Sequence, residues 1–295
     1  MNILRNARIT ARAENYAAFV FDFAEHTVPQ PLSPLKLEAT GSASAAFLRK
    51  ETIALPYYPK LLTQYKLKEI AGGGSVFDRA LRIMSWLTEN TQYCGMSMHR
   101  LRDNGAEILQ WSAGRGFCHA INCRNKAFAL ADCLLALGIS ALPLMFIGGI
   151  RYKGKPGMGC HVMVHVYLPE LGKWALLDPS ANAWFGAENH PSDVVELREM
   201  LANEQFPKIN GFTFMAGTAA CLEAYKLCFL RPMQYIFAWE SNSSGRMKAT
   251  DRLQHYVLAT QGESFMEFIT KLYGKRSARK YNVLPIGAAE LLSAK

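Results

Sequence analysis

The sequence has few charged residues, no internal repeat and no low-complexity segment. Charged residues make up 19% and apolar residues 50% of the 295 residues, proportions that are typical of a folded globular chain. A mainly disordered, collagenous or coiled-coil protein is therefore excluded. We predict one domain over 1–295, with a helical extension at 1–74, a core at 75–204 and a C-terminal part at 205–295.

A secretory signal and a regular cysteine framework are also missing. The first 25 residues place three arginines before acidic residues and contain no apolar run of signal-peptide length. The seven cysteines make an odd number at irregular spacings, which is typical of free thiols in a reducing compartment. We therefore expect a cytoplasmic protein.

The net charge of +9 is concentrated in one segment, 271–280, which carries five positive charges and no negative one. Its basic residues are Lys271, Lys275, Arg276, Arg279 and Lys280. Such a run is typical of a solvated surface. No nucleic-acid partner is expected, and the sequence leaves the role of this stretch and the oligomeric state open.

One apolar run, 129–150, has the length of a membrane span. Asp132 lies inside the run, Gly138 is typical of a helix C-cap, and Pro143 interrupts the second half of the run. We therefore predict a buried helix that leads into a buried strand, and no membrane span.

Hydrophobic spacing predicts the other elements of the core. Ser75 and Asp78 form a capping-box variant that begins a helix ending near Asn90. Apolar residues spaced by three and four predict a second helix from Cys123 to about Leu137. Further helices are expected at 192–203, capped by Ser192, and at 218–230, and strands at about 140–148, 161–168 and 174–178. Helices followed by consecutive strands favour an α+β fold with a mostly antiparallel sheet packed against the Cys123 helix.

Three residues supply the groups that thiol catalysis needs: Cys123 at a helix N-terminus, His161 at the start of a strand and Asp178 at the end of the next strand. His161 and Asp178 lie near the same end of a predicted hairpin. In an antiparallel pair they share a face only if opposing residue numbers sum to an odd value, near 339 to 343.

Three segments form a recognisable pattern. Ile121–Arg124 is followed by Ala127 and a leucine-rich stretch ending in Gly138 and Ile139, which resembles the catalytic helix of the transglutaminase-like superfamily. His161–Tyr167 resembles its histidine strand, and Lys173–Ser180 resembles its Trp-x-x-x-Asp-Pro strand. The resemblance is sharp over about 115–200. It implies a papain-like, transglutaminase-like core with additional N- and C-terminal helices.

The resemblance also implies roles: Cys123 as nucleophile, His161 as general base and acid, and Asp178 as the residue that orients the imidazole. It implies a cysteine-dependent acyl transfer on an amide bond of a peptide or a small amide or thioester, without a cofactor. Hydrolysis, by a peptidase or amidase, is favoured because an amine acceptor must outcompete water. The alternative is a transglutaminase or amide-forming acyltransferase.

Two positions depart from the family pattern. Met163 stands where the family usually has tryptophan, which removes an aromatic wall or an indole donor, and His165 stands at a usually acidic position. His165 shares a strand face with His161, so it is either a residue that supports His161 or a structural histidine.

Cys118 is a competing nucleophile, since Gly116, Phe117 and Cys118 also imitate a family motif. The sequence separation from Gly138 argues against Cys118. Gly138 lies 20 residues after Cys118 but 15 after Cys123, and only a helix that begins at Cys123 also places Ala127 and the leucine-rich face at the expected positions. We expect Cys118 in the loop before the helix.

Two other classes of function remain as alternatives. A zinc site would draw on Cys118, Cys123, Cys160 and either His161 or His165, but these residues lack paired ligand spacing, and adjacent strand residues point to opposite faces. We therefore predict no metal. A non-catalytic binding module would keep the fold without the chemistry.

The oxyanion hole is expected to use the backbone N–H of Cys123 and a second donor. Asn122, Gln110 and Trp111 are the candidates for that donor, and the sequence does not choose among them. The glycine-rich stretch 153–157 is expected to be a flexible loop over the cleft.

Overall fold

The computed structural model describes residues 16–36, 55–97, 101, 104–114, 117–156, 159–239, 254–258, 260–273, 275 and 282–293. Over these residues the chain has an α+β fold built on a mostly antiparallel sheet, which confirms the predicted fold class.

The described helices are α1 (16–25), α2 (Tyr58–Gln64), α3 (Leu67–Ala71), α4 (Val76–Asn90), α5 (Gly105–Ser112), α6 (Cys123–Ala136), α7 (Val194–Ala202), α8 (Ala219–Tyr225), α9 (Phe265–Tyr273) and α10 (Ala288–Ser293). A π-helical turn, Lys226–Leu230, continues α8, and 3-10 turns form at Phe117–His119 and Phe214–Gly217. The strands are β1 (Thr27–Pro29), β2 (Ala141–Ile147), β3 (Ile150–Tyr152), β4 (Lys155–Pro156), β5 (Cys160–Leu168), β6 (Lys173–Asp178), β7 (Ala183–Ala187), β8 (His190–Pro191), β9 (Ile209–Asn210), β10 (Tyr235–Trp239), β11 (Gln254–Leu258) and β12 (Asn282–Ile286).

The main sheet has the strand order β12-β11-β10-β2-β5-β6-β7-β8, and β9 pairs with β7. Neighbouring strands are antiparallel, except that β11 and β12 are parallel. Strands β10 to β12 come from the predicted C-terminal part, and the sequence analysis did not predict them. They extend the sheet that carries β5 and β6.

Helix α6 covers one face of the sheet. Alternate residues of β5, Val162, Val164 and Val166, are buried in a cluster with the apolar side chains of α6, such as Leu130 and Leu134. The intervening Met163 lies in a second cluster on the opposite face, together with residues of α8 and its π turn. Side chains of β5 therefore alternate between two buried layers.

The apolar run 129–150 forms the end of α6 and strand β2. Asp132, inside the run, accepts hydrogen bonds from the hydroxyls of Tyr57 (2.8 Å) and Tyr58 (3.3 Å) and from the N–H of Gly105 (2.7 Å). This buried carboxylate thus joins α2 and α5 to α6. In the part of the chain that the structure describes, no helix is both long and apolar enough to cross a membrane.

The structure corrects three local predictions. Helix α7 is capped by Asp193, in a capping box with Glu196, because the buried Ser192 is still paired with β7. The stretch 153–157 begins as a tight turn of a β3–β4 hairpin, which pairs with β1, and Gly157 lies outside the described residues. The stretch 218–230 is not one α-helix, because α8 widens into a π turn after Tyr225.

The basic stretch 271–280 is described only in part. Lys271 forms an ion pair with Glu263, with 2.6 Å between Nζ and Oε1. Arg276, Arg279 and Lys280 lie outside the described residues.

Candidate active site

Cys123 is the first residue of α6 and is half-buried. The helix begins here because the preceding Asn122 caps it: its side-chain oxygen accepts a hydrogen bond from the N–H of Asn125 at 3.0 Å. Asn122 Nδ2 donates to the carbonyl of Ser97 at 2.9 Å, which ties the cap to the preceding loop. The helix start at Cys123 is as predicted.

His161 and Asp178 meet on the same face of the sheet. In the β5–β6 pair, opposing residue numbers sum to 341, for example Val164 opposite Leu177, which confirms the predicted odd register. Continued by one residue, this register places Asp178 opposite Met163, next to His161 on that face. Nε2 of His161 lies 2.7 Å from Oδ2 of Asp178, and both side chains are fully buried.

Asp178 is held by two further donors. The hydroxyl of Tyr225 donates to the same Oδ2 at 2.6 Å, and the N–H of Ser180 donates to Oδ1 at 2.8 Å. Burial opposes a negative charge here, but His161, Tyr225 and Ser180 outweigh it and lower the pKa of Asp178 below its usual value. Asp178 is therefore an anion at neutral pH.

The imidazole of His161 carries its proton toward Asp178 and presents the other nitrogen to Cys123. Burial opposes the charged ring, but the charge and hydrogen bond of Asp178, reinforced by Cys123, raise the pKa of His161 to about 10. Since Nε2 is occupied by Asp178, Nδ1 is the nitrogen available for proton exchange with the thiol of Cys123.

The thiol and the imidazole come from opposite sides of the sheet. Helix α6 packs on the face of Val162 and Val164, whereas His161 lies on the other face. Cys123 is at the first turn of α6 and His161 is at the start of β5, close enough for Cys123 to contribute to the raised pKa of His161. This arrangement leaves Cys123 half-buried next to a fully buried histidine–aspartate pair.

An aromatic layer encloses the pair. The ring of Phe229 lies edge-on to the imidazole of His161, with 4.7 Å between ring centroids, and stacks on Tyr225 at 5.5 Å. Met163 is fully buried on the same face. Phe229 thus forms an aromatic wall beside His161, and sequence reasoning missed this residue.

Lys126 brings a buried cation close to the site. It lies one turn after Cys123, is 1% exposed, and places Nζ 6.0 Å from the centre of the Tyr93 ring. Burial lowers the pKa of Lys126 to about 8, against the charge of Asp178, which raises it. The apolar spacing of α6 gave no sign that a lysine would be buried here.

His165 does not reach the site. Its ring stacks on Trp174 at 4.9 Å, and Nε2 accepts a weak hydrogen bond, 3.4 Å long, from the N–H of Val194 at the start of α7. Burial and the charge of Lys173 lower the pKa of His165 to about 3, so the ring is neutral. The geometry favours a structural role for His165 over a role in supporting His161.

The candidates for the second oxyanion donor occupy different surroundings. Both polar ends of the Asn122 side chain are engaged by Asn125 and Ser97. Gln110 is exposed on α5, and the half-buried Trp111 packs against the ring of His119 at 5.0 Å. Asn122, Gln110 and Trp111 all stay candidates for the second donor.

Cys118 lies before α6, in the 3-10 turn Phe117–His119, as predicted. Among the described residues, no group of three or more histidine, cysteine, aspartate or glutamate side chains is arranged to hold a metal ion. His165, one of the two histidines considered for the alternative zinc site, is turned toward Trp174 and α7.

The similarity of this chain to known proteins is low. No protein-family model and no curated protein matches it. A solved structure of a putative protease from Parabacteroides distasonis ATCC 8503 is similar over 49% of this chain, with 14% identity and a TM-score of 0.28. The match spans 33% of that protein. At this TM-score the likeness shows neither a shared fold nor a shared activity.

The pKa shifts predict how the pair contributes to stability as pH changes. The pKa of His161 is raised from 6.5 to about 10, so its stabilising contribution is fully present below pH 6.5 and is lost as pH rises through 10. The pKa of Asp178 is lowered from 3.8. The stabilising contribution of Asp178 is therefore fully present above pH 3.8 and is lost as pH falls through the pKa of the folded state.

Urea unfolding between pH 6 and 10 tests this expectation. The free energy of unfolding of the wild type should fall with rising pH more steeply than that of His161→Asn, by up to about 1.4 kcal/mol per pH unit. Parallel pH profiles for the two proteins would show that His161 is not held in its charged form by Asp178.

Proposed function

We propose that this protein is a cysteine-dependent enzyme that transfers the acyl group of an amide, with water as the preferred acceptor, so that the reaction is hydrolysis. Cys123 is the nucleophile, His161 the general base and acid, and Asp178 the residue that orients and stabilises the imidazolium. One observation carries the proposal: in the buried His161–Asp178 pair, 2.7 Å apart, Asp178 occupies Nε2 of His161 and leaves Nδ1 for Cys123, which helps to raise the pKa of the imidazole.

The reaction follows from these positions. The sulfur of Cys123, having given its proton to Nδ1 of His161, attacks the carbonyl carbon of the amide and forms a tetrahedral oxyanion. His161 returns the proton to the leaving nitrogen, the carbon–nitrogen bond breaks, and an acyl thioester on Cys123 remains. His161 then takes a proton from water as the water oxygen attacks the carbonyl carbon of the thioester. The carbon–sulfur bond breaks, the acid leaves, and the thiolate of Cys123 remains beside the protonated imidazole.

Charge stabilisation favours this order of events. The N–H groups in the first turn of α6 have no acceptors within the helix, so a developing oxyanion beside Cys123 would meet the positive end of the helix dipole. The buried ammonium of Lys126 adds positive charge one turn further along. Asp178 stays ionised throughout and stabilises the imidazolium.

The same three residues suit an amine acceptor in place of water, which would make the protein a transglutaminase or an amide-forming acyltransferase.

We further propose that the chain has a transglutaminase-like core and is one domain over 1–295, because β10 to β12 extend the sheet that carries His161 and Asp178. A peptide or a small amide or thioester is the proposed substrate.

A thiol site and a metal site respond differently to two reagents. Iodoacetamide should abolish turnover of an amide substrate, because it alkylates the sulfur that must attack, whereas strong chelators should leave the rate unchanged. Incubation of parallel samples, followed by a rate assay and measurement of bound zinc, checks both arms. Release of one equivalent of zinc on chelation, together with inactivation or unfolding, would refute the thiol-only site and support the alternative cluster of cysteines and histidines.

A further inference from the structure

The Asp178 carboxylate has a buried neighbour, Tyr225, that takes no part in the proposed reaction. We propose that Tyr225 is a positioning residue of this site, whose hydroxyl fixes the Asp178 carboxylate in the orientation that holds the imidazole of His161 toward Cys123. The proposal rests on the proposed function and adds a fourth member to the Cys123–His161–Asp178 arrangement.

The hydrogen bonds show how Tyr225 acts. Oδ2 of Asp178 accepts from both Tyr225 (2.6 Å) and His161 (2.7 Å), while Oδ1 accepts from the N–H of Ser180 (2.8 Å). A carboxylate with donors on both oxygens cannot rotate without breaking at least one charge-assisted hydrogen bond. The hydroxyl of Tyr225 and the imidazole therefore share one oxygen, and the position of the tyrosine sets the direction in which the imidazole N–H points.

The surroundings of Tyr225 make it a rigid support. The side chain is fully buried, and its ring contacts Phe212 at 5.1 Å and stacks on Phe229 at 5.5 Å. Tyr225 is the last residue of α8, which is capped by Thr218. An aromatic side chain enclosed in this way has few rotamers available, so its hydroxyl stays in place.

The π turn allows one segment to contact both members of the pair. Directly after Tyr225 the helix widens over Lys226–Leu230, and this turn carries Phe229 against the imidazole of His161, 4.7 Å between ring centroids. Tyr225 holds the carboxylate while Phe229 covers the ring that the carboxylate orients.

A buried tyrosine hydroxyl needs a partner in any case, so a purely structural role is the alternative. The two roles differ in what they change. A structural hydrogen bond affects only the free energy of unfolding, whereas a positioning residue also alters the reactivity of Cys123 in the folded protein, through Asp178 and His161.

Tyr225→Phe is the direct test, because it removes only the hydroxyl and keeps the packed ring. In the folded variant, alkylation of Cys123 by iodoacetamide at pH 6 to 7 should slow about tenfold, and kcat on an amide substrate should fall by a similar factor with KM within about twofold. The pKa of the Asp178 carboxyl, followed by ¹³C NMR, should rise because the hydroxyl lowers it in the wild type. In an Asp178→Asn background the same substitution should add little further loss.

Tyr57→Phe is a matched control. The hydroxyl of Tyr57 donates to another buried carboxylate, Asp132, at 2.8 Å, on the side of the fold that joins α2 to α6. We expect this variant to lose stability but to keep the alkylation rate of Cys123. If Tyr225→Phe also keeps that rate and an unchanged kcat, the positioning role is wrong.

Fluorinated tyrosines introduced at position 225 keep the test decisive if Tyr225→Phe does not fold. They retain the hydroxyl and the ring shape but change the acidity of the phenol, so kcat and the alkylation rate should vary along the series. No variation would overturn the proposal. Failure of the proposed function is distinguishable, because Cys123 of the wild type would then be alkylated no faster than Cys118 before any variant is compared.

Discussion

Replacement of Cys123 by serine is expected to reduce turnover of amide substrates by a factor of about 10⁴ or more, while the protein stays folded. The cause is chemical: a serine hydroxyl is far less acidic than a thiol and gains little from the helix N-terminus and the imidazole of His161. Because Cys123 is half-buried and serine is slightly smaller, the cost in stability should be small. Steady-state rates and a thermal melt of the same samples measure both effects.

Cys118→Ser is the control for this prediction. Cys118 is also half-buried, lies five residues earlier in the 3-10 turn Phe117–His119, and should tolerate the change with most activity retained. A Cys123→Ser variant that kept its rate, or a Cys118→Ser variant that lost it, would transfer the nucleophile to the turn before α6.

Replacement of Asp178 by asparagine is expected to lower kcat by about 10³ to 10⁴. Asp178 accepts from Tyr225, His161 and Ser180, and an amide NH₂ group in either orientation would face at least one of these donors. A neutral amide also removes the charge that stabilises the imidazolium. His161 would then lose both its preferred tautomer and its raised pKa.

Asp132→Asn is a matched control for that variant. Asp132 is also buried and accepts from Tyr57, Tyr58 and Gly105, so its replacement should lower the free energy of unfolding without reducing the rate of the folded fraction. Equal losses of activity in the two variants would mean that Asp178 contributes through folding alone.

The sequence predicts the central elements of the fold because their signals are local. Cys123 to Ala136 has regular apolar spacing and a capping asparagine before it, and the helix begins at Cys123 as expected. The pairing of His161 with Asp178 follows from one hairpin, whose register depends on which face each strand buries.

Other parts of the site depend on tertiary contacts that no local pattern reports. Tyr225 lies 47 residues after Asp178, and only the packing of α8 on the sheet brings its hydroxyl to the carboxylate. The burial of Lys126 likewise depends on Tyr93, which belongs to a different part of the chain. The sequence predicts Ser192 as the cap of α7, one residue before the observed Asp193, because serine and aspartate both favour a capping position and only the pairing of Ser192 with β7 distinguishes them.

The most direct test of the account is detection of an acyl group on Cys123. The protein is incubated with a panel of amides and activated esters, quenched in acid, and analysed by intact mass and peptide mapping. The account predicts an adduct whose mass equals that of the acyl portion, located on Cys123, absent from Cys123→Ser and retained in Cys118→Ser. An adduct on Cys118 or Cys160, or no adduct from any member of the panel, would contradict it.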